Sequence, residues 1–277
     1  MNWKKGLSTW KAGKTLFISV PFTWLLSEAE EMASCHKGRV IAGGPAVKLL
    51  GAEWADETPE STPYDVLSTQ NPFATFTSRG CPNKCEFCAV PKIEGDLVEM
   101  DSWKHAPIIC DNNLLACTDR HFSRVIESLK IFDGVDFNQG LDARIFNKGH
   151  AQKISKLRNP HVRFAFDHVG MESTVIKAID TARAAGIRNL SIYVLIGFKD
   201  TPEDAEYRLE FVRKMKIRPN PMRYQPIWAI RKNDYIGPGW TESQLLRMSK
   251  YYSRLCWYDH IPFQEFHYHE TGSLFQG

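Results

Sequence analysis

Between residues 73 and 230 the chain alternates short apolar runs with helix-periodic segments about six times, and few folds tolerate that rhythm. "FATFTSR" (73–79), "APIICD" (106–111), "GVDFNQG" (134–140), "HVRFAFDH" (161–168), "NLSIYVLIGF" (189–198) and "PMRYQPIWAI" (221–230) read as strands. Between them "RHFSRVIESLK", "KGHAQKISKL", "ESTVIKAIDTARAAG" and "PEDAEYRLEFVRKMK" carry helical periodicity. Gly186 is a helix stop, and Thr201 with Pro202 reads as an N-cap followed by a first helical residue. Parallel β/α units explain the alternation best, and six of them form an open, partial (β/α)6 TIM-like barrel in an α/β chain.

The flanks are less regular. "TLFISV" (15–20), "TWLLSEAEEMAS" (23–34) and "GRVIAGGPAV" (38–47) predict a short βαβ-like start, and residues 51–71 have no clear period and read as a linker or covering segment. Beyond residue 232 comes a helix around "ESQLLRMSKYYSRLC" and an aromatic tail. The expected division is 1–70 as an N-terminal remnant or covering segment, 71–232 as the barrel and 233–277 as a C-terminal extension. With 277 residues, 43% apolar, the chain can bury a core without staples. The apolar run "TLFISVPFTWLL" is too short to span a bilayer, and the acids of "SEAEE" behind it argue against export. Seven scattered cysteines do not form a secreted disulfide framework, so a reducing cytoplasm and no membrane association are expected.

Parallel β/α architectures gather their chemistry at the carboxyl ends of strands. Those positions hold Cys81–Cys88, Asp111–Asn113, Asn138–Asp142, Asp167–His168, Gly197 and Gln225–Pro226, and they are polar, glycine or cysteine behind apolar strands. The sharpest group is "RGCPNKCEFC" (79–88), in which Cys81, Cys85 and Cys88 are spaced C-x3-C-x2-C. Thiolates bind soft metals and iron–sulfur clusters. Structural zinc wants four ligands, usually from two separated knuckles, and no second C-x2-C or H-x3-H pair stands here; Cys110 and Cys117, on either side of "DNNLLA", are weak as a half-site, and His105 is a candidate for a fourth ligand.

The motif, with an aromatic residue before its last cysteine and at the end of a first barrel strand, resembles the radical S-adenosylmethionine (SAM) superfamily, and "CDNNLL" (110–115) after the second strand resembles the form found in its cobalamin-associated branch. The resemblance covers roughly 73–230. It implies a [4Fe–4S] cluster held by Cys81, Cys85 and Cys88, whose fourth iron takes SAM. An external flavodoxin- or ferredoxin-like donor supplies an electron, SAM is cleaved reductively, and a 5′-deoxyadenosyl radical abstracts hydrogen from a substrate that the resemblance does not identify. It further implies that Asp111, Asn112 and Asn113 meet the SAM amino group, a helix N-cap cluster being the alternative. Gln139 and Arg144 stand beyond the third strand, where Arg144 meets the SAM carboxylate or pairs with Asp142. Asp167 falls near the ribose and Gly197 near the adenine, with Asp200 off the register of the family's acid. "RVIAGGPAVKL" is similar to the end of a cobalamin-binding domain, but the segment is too short and lacks a D-x-H-x-x-G motif, which argues against cobalamin.

Two further features stand out. From Arg213 to Lys232 there are seven basic residues and no acid, with Tyr224 and Trp228 interleaved. Such a strip suits either nucleic acid, which leaves a base-modifying enzyme as an alternative, or a helix C-terminus followed by a core strand. His260, His267 and His269 lie in an aromatic tail that reads as packing rather than a metal site. A non-catalytic metal-binding protein is the remaining alternative.

Overall fold

The computed structural model describes residues 3–60 and 65–267. It begins with a hairpin, β1 (Ser8–Ala12) and β2 (Thr15–Ser19), which the sequence reading passed over at β1. A 3-10 turn (Thr23–Leu25) and α1 (Leu26–Ser34) cross over to β3 (Val40–Gly43), which pairs in parallel with β2, so the expected βαβ unit is present. The apolar run that invited the export question is this strand and crossover. Helix α2 (Pro45–Leu50) follows. The unit closes on its own core of Leu16, Ile18, Val20, Ala29, Val40 and Val47. It is thus a small folded layer. In the 51–71 stretch Glu57 bridges to Ile41, and α3 (Val66–Gln70) is capped by Asp65.

The main body is a six-stranded parallel sheet flanked by helices. In chain order its strands are β4 (Ala74–Thr75), β7 (Ile108–Ile109), β8 (Asp133–Phe137), β9 (Arg158–Ala165), β10 (Leu190–Ile196) and β11 (Arg218–Arg223), and each pairs with the next. Two expected strands are corrected. The 73–79 run breaks at Phe76–Thr77: β5 (Ser78–Arg79) leaves the sheet to pair antiparallel with β6 (Val98–Glu99). The sixth strand lies at 218–223 rather than 221–230, and the residues after Arg223 are loop.

The helices are α4 (Val90–Ile93), α5 (Asp119–Leu129), α6 (Lys148–Ile154), α7 (Glu172–Ala184), α8 (Pro202–Lys214), α9 (Glu242–Ser253) and α10 (Leu255–Tyr258). Thr201 caps α8 as expected, its hydroxyl accepting from Asp204 N at 3.2 Å. Helices and sheet share one core in which Val162, Phe164, Phe166, Ile192, Val194 and Ile196 interdigitate with Val175, Ile179, Leu209 and Val212. The opposite face of the same strands carries Asp136, His161, Arg163, Ser191 and Tyr193. Arg163 there is held bidentate by Asp136 and donates to the Tyr193 hydroxyl at 3.1 Å. At the C-terminal end Tyr251, Tyr252, Tyr258, Phe263 and Phe266 form an aromatic cluster, as expected for a packing tail. His269 lies outside the described residues. Among the described residues no helix is long and apolar enough to cross a membrane.

Candidate functional site

The cysteine loop starts where β5 turns away from the sheet. Gly80 has φ +73°, and a Cβ there would stand 2.0 Å from the Asp96 carbonyl oxygen, so glycine is the residue that lets the loop's two ends touch. Glu94 clamps the base: its carboxylate accepts from Gly80 N (2.9 Å), Arg79 Nη2 (2.7 Å) and Asn112 Nδ2 (2.6 Å). Cys81 N donates to Gly95 O at 3.2 Å and Cys88 N to Cys85 O at 3.0 Å. Backbone and carboxylate contacts therefore fix the base of the loop, and Asn83 N adds a bond to the Cys81 sulfur at 3.4 Å.

The three thiols are half-buried on this loop. Burial pushes Cys85 up; Arg144 opposes this, while Asp167, Cys81 and Asp142 add to it. Burial likewise raises Cys88, against a hydrogen bond from the Val90 N–H and with Cys85 and Cys81 adding. Neutral thiols have no mutual attraction, and among the described residues no group of three or more His, Cys, Asp or Glu side chains is gathered as a metal site. A metal would have to displace the thiol protons on binding.

Around the loop the structure brings together residues from three strand ends. Asn83, inside the motif, donates to Asp142 at 3.1 Å. Asn113 donates to the same carboxylate at 3.3 Å and lies 3.7 Å from the Cys81 sulfur. Its Oδ1 is buried with no hydrogen-bond partner. An orphaned buried acceptor is costly and rare, so this oxygen is the clearest sign of a missing donor. Asn113 precedes a 3-10 turn (Leu114–Ala116) without capping it by its side chain, and Thr118 caps α5, so the N-cap alternative fails for this residue.

Asp142 and Arg144 form the bidentate pair that was the alternative to a free Arg144, with Nε–Oδ1 at 2.8 Å and Nη2–Oδ2 at 2.7 Å. Burial opposes ionisation of Asp142, yet hydrogen bonds from Arg144 and Asn83 hold its carboxyl below the ordinary range. Arg144 keeps half of its side-chain surface exposed and so has donors left for a ligand. Asp167 sits half-buried at the end of β9, raised by burial against the pull of Arg208, His168 and Arg144.

Other expected residues fall elsewhere. The Asp111 carboxylate is turned inward, accepting from Thr77 N (2.6 Å), Ser78 Oγ (2.8 Å) and the Thr77 hydroxyl. It holds the break between β4 and β5 and has little left for a ligand. Asn112 is spent on Glu94, and Gln139 is exposed. Gly197 has φ +83° and donates its N–H to Asp200 at 3.0 Å, so Asp200, off register for a ligand, closes this turn.

The sequence reading missed Glu94, Asn83 and Arg208. Arg208 is fully buried; it donates to the carbonyls of Leu195 (2.7 Å), Phe166 (2.8 Å) and Asp167 (3.0 Å) and pairs with Asp200. It thereby ties the carboxyl ends of β9 and β10 together beneath Asp167 and Gly197. Its signal was a cation on the apolar stripe of α8, between Ala205 and Val212.

No protein-family model matches this chain, and no curated protein matches it significantly.

Proposed function

We propose that this chain is a radical SAM enzyme. The carrying observation is the convergence, at the carboxyl end of a six-stranded parallel sheet, of a compact three-cysteine loop with Asn113 and Arg144. On this reading the sheet is the wall of a partial (β/α)6 barrel, and Cys81, Cys85 and Cys88 hold a [4Fe–4S] cluster. The donor set fits: three thiols on one short loop leave one iron open, and the orphaned Asn113 Oδ1 is an acceptor suited to an ammonium. Cluster and SAM, when bound, supply reductive cleavage of a C–S bond and hydrogen abstraction.

The chain's own residues then have separable tasks. Glu94 and Gly80 fix the loop. Asn83 and Asn113 link it to Asp142, which aims Arg144 at the SAM carboxylate. Asp167 and Gly197 border the ribose and adenine, with Arg208 holding their strand ends. Of the remaining expected contacts, Gln139 is positioned only to reach an exposed part of a ligand. An external flavodoxin- or ferredoxin-like donor supplies the electron, in the cytoplasm. Cobalamin has no place in this reading.

Anaerobic iron–sulfide reconstitution tests it. We expect a reduced cluster with an EPR signal that shifts on adding SAM, and release of 5′-deoxyadenosine. Replacing Cys81, Cys85 and Cys88 with Ala removes both. Bound zinc without a SAM response, or iron retained by the triple variant, overturns the reading.

A further inference from the structure

The basic strip seen in the sequence is two surfaces. Arg213, Lys214, Lys216 and Arg218 lie at the amino end of β11, and Arg213 is already paired with Asp259 and Glu210. Tyr224, Trp228, Arg231 and Lys232 follow its carboxyl end, about 17 Å away at roughly 3.3 Å per residue of strand.

The second surface is built. Gln225 closes the 224–233 loop, donating to the Arg231 carbonyl and accepting from Asn233 N at 2.6 Å, and Ala229 N bonds Pro226 O at 3.0 Å. The Thr23 hydroxyl bonds the Ala229 carbonyl and so fastens the loop to the Phe22–Trp24 turn. With the backbone engaged inwardly, the apolar side chains face out: Trp228 is 60% and Ile230 71% exposed. Phe22, 49% exposed, lies flat on Trp24 with ring centroids 4.5 Å apart and planes 7° apart. Lys92 of α4 stands 5.8 Å from the Trp228 ring centroid. Among the described residues none of Lys92, Arg231 and Lys232 joins an ion pair, and from Met222 to Asn233 there is no acid. Beneath them Arg223 donates to the Tyr235 carbonyl at 2.9 Å, while its Nε and Nη1 are buried without an acceptor.

Open aromatic faces beside unpaired cations are the chemistry that holds a single strand: rings take bases and cations take phosphates. An acidic peptide would engage the cations but not the ring faces, and a purely apolar partner would leave the cations buried and unpaired. We propose that this surface binds a single-stranded segment of nucleic acid, with bases stacked on Trp228 and Phe22 and phosphates on Lys92, Arg231 and Lys232.

The surface adjoins the cysteine loop. Helix α4 starts two residues beyond Cys88, and Phe87 meets Phe198 edge-on at 5.6 Å, Phe198 meets Tyr224 at 4.6 Å and Tyr224 meets Tyr235 at 5.2 Å. A strand on Trp228 therefore passes beside the helix that leaves that loop, with one of its bases assigned to the loop. This makes a base of the strand the substrate, a step that rests on the radical SAM reading; the binding itself does not.

The test is fluorescence anisotropy with the full chain and labelled oligouridine or oligothymidine of about twelve nucleotides, against a matched duplex and an acidic peptide. We expect either single strand to bind at least tenfold tighter than duplex or peptide. Trp228→Ala should weaken binding about 5- to 150-fold, from the stacking of one base. The double variant Arg231→Ala, Lys232→Ala should lower the slope of log affinity against log salt by about 1.4. Absence of saturable binding at low salt, equal or tighter binding of the peptide, or a Trp228→Ala affinity within twofold of the parent overturns the proposal. The triple cysteine variant should bind the strand unchanged, so failure of cluster loading and failure of strand binding are told apart.

Discussion

Replacing Arg208 with Met is the sharpest probe of how the fold holds the site. Arg208 is fully buried, and burial pushes its guanidinium down and the Asp200 carboxyl up, each against the other's attraction. Desolvation thus outweighs pairing, as for many buried ion pairs. The pair is a poor source of net stability, yet breaking it on one side is expensive. Methionine fills the volume but takes the Arg208 donors away from Asp200 Oδ2 and from the Phe166, Asp167 and Leu195 carbonyls. A buried pair broken on one side costs about 3–5 kcal/mol. At roughly 2–3 kcal/mol/M in urea, that is a midpoint lower by more than ~1 M. Adding Asp200→Asn should recover about half of the loss. The Asn oxygen keeps the bonds from Gly197 N (3.0 Å) and Trp240 Nε1 (3.2 Å), and its NH2 faces the freed carbonyls. Urea melts followed by circular dichroism read both values. A single variant within about 1 kcal/mol of the parent, or a double variant no better than the single, refutes the reasoning.

Three other changes have definite outcomes. Gly80→Ala forces a left-handed residue, at about 1–2 kcal/mol, and drives a methyl into the Asp96 carbonyl; we expect loss of iron incorporation with the far-ultraviolet spectrum retained. His150 is held below its ordinary value by burial, so its neutral form belongs to the fold. Its contribution is complete above the unfolded value of roughly 6.5 and is lost as pH falls from there through the folded value. Thermal melts between pH 7.5 and 5 should therefore show stability falling with pH, and His150→Phe should flatten part of that slope, the remainder coming from His161, which burial also lowers. Asn113→Leu should keep the cluster but weaken SAM binding about 10- to 150-fold, the worth of one hydrogen bond to a charged group; equilibrium dialysis on reconstituted protein measures it, and an unchanged affinity removes Asn113 from the site.

How much of this was legible in the chain differs by element. The strands at 133–137, 158–165 and 190–196 bury alternate apolar residues on the helix side, so their apolar runs revealed them, although the fourth lies three residues before its expected 161–168. The first and sixth strands were misjudged for opposite reasons. "FATFTSR" is uniformly strand-like, but Asp111, distant in sequence, pulls Thr77 and Ser78 out of line. "PMRYQPIWAI" continues in strand-forming residues after the strand has ended, because Gln225 and Thr23 fold the loop back. Asp111 and Thr23 are distant in sequence and could not enter a windowed reading, and the Gln225 bonds to Arg231 and Asn233, though local, belong to a loop shape that strand propensity does not encode.

The same distinction governs the site. The cysteines were visible because their chemistry is local, three thiols within the eight residues 81–88. What positions them is not: Glu94 collects Arg79, Gly80 and Asn112, and Asp142 collects Asn83 and Asn113, from segments 14 to 59 residues away in the chain, with Arg144 as its local partner. Both carboxylates are acceptor-only groups and bind donors wherever the fold supplies them. Asn113 is the exception that points outward, since its amide is spent while its oxygen is not. Glu94, Asp111 and Asp142 are satisfied from the chain's own donors, whereas the Asn113 oxygen, buried beside Cys81, has none. On the reading proposed above, the SAM ammonium is the donor that fills that place.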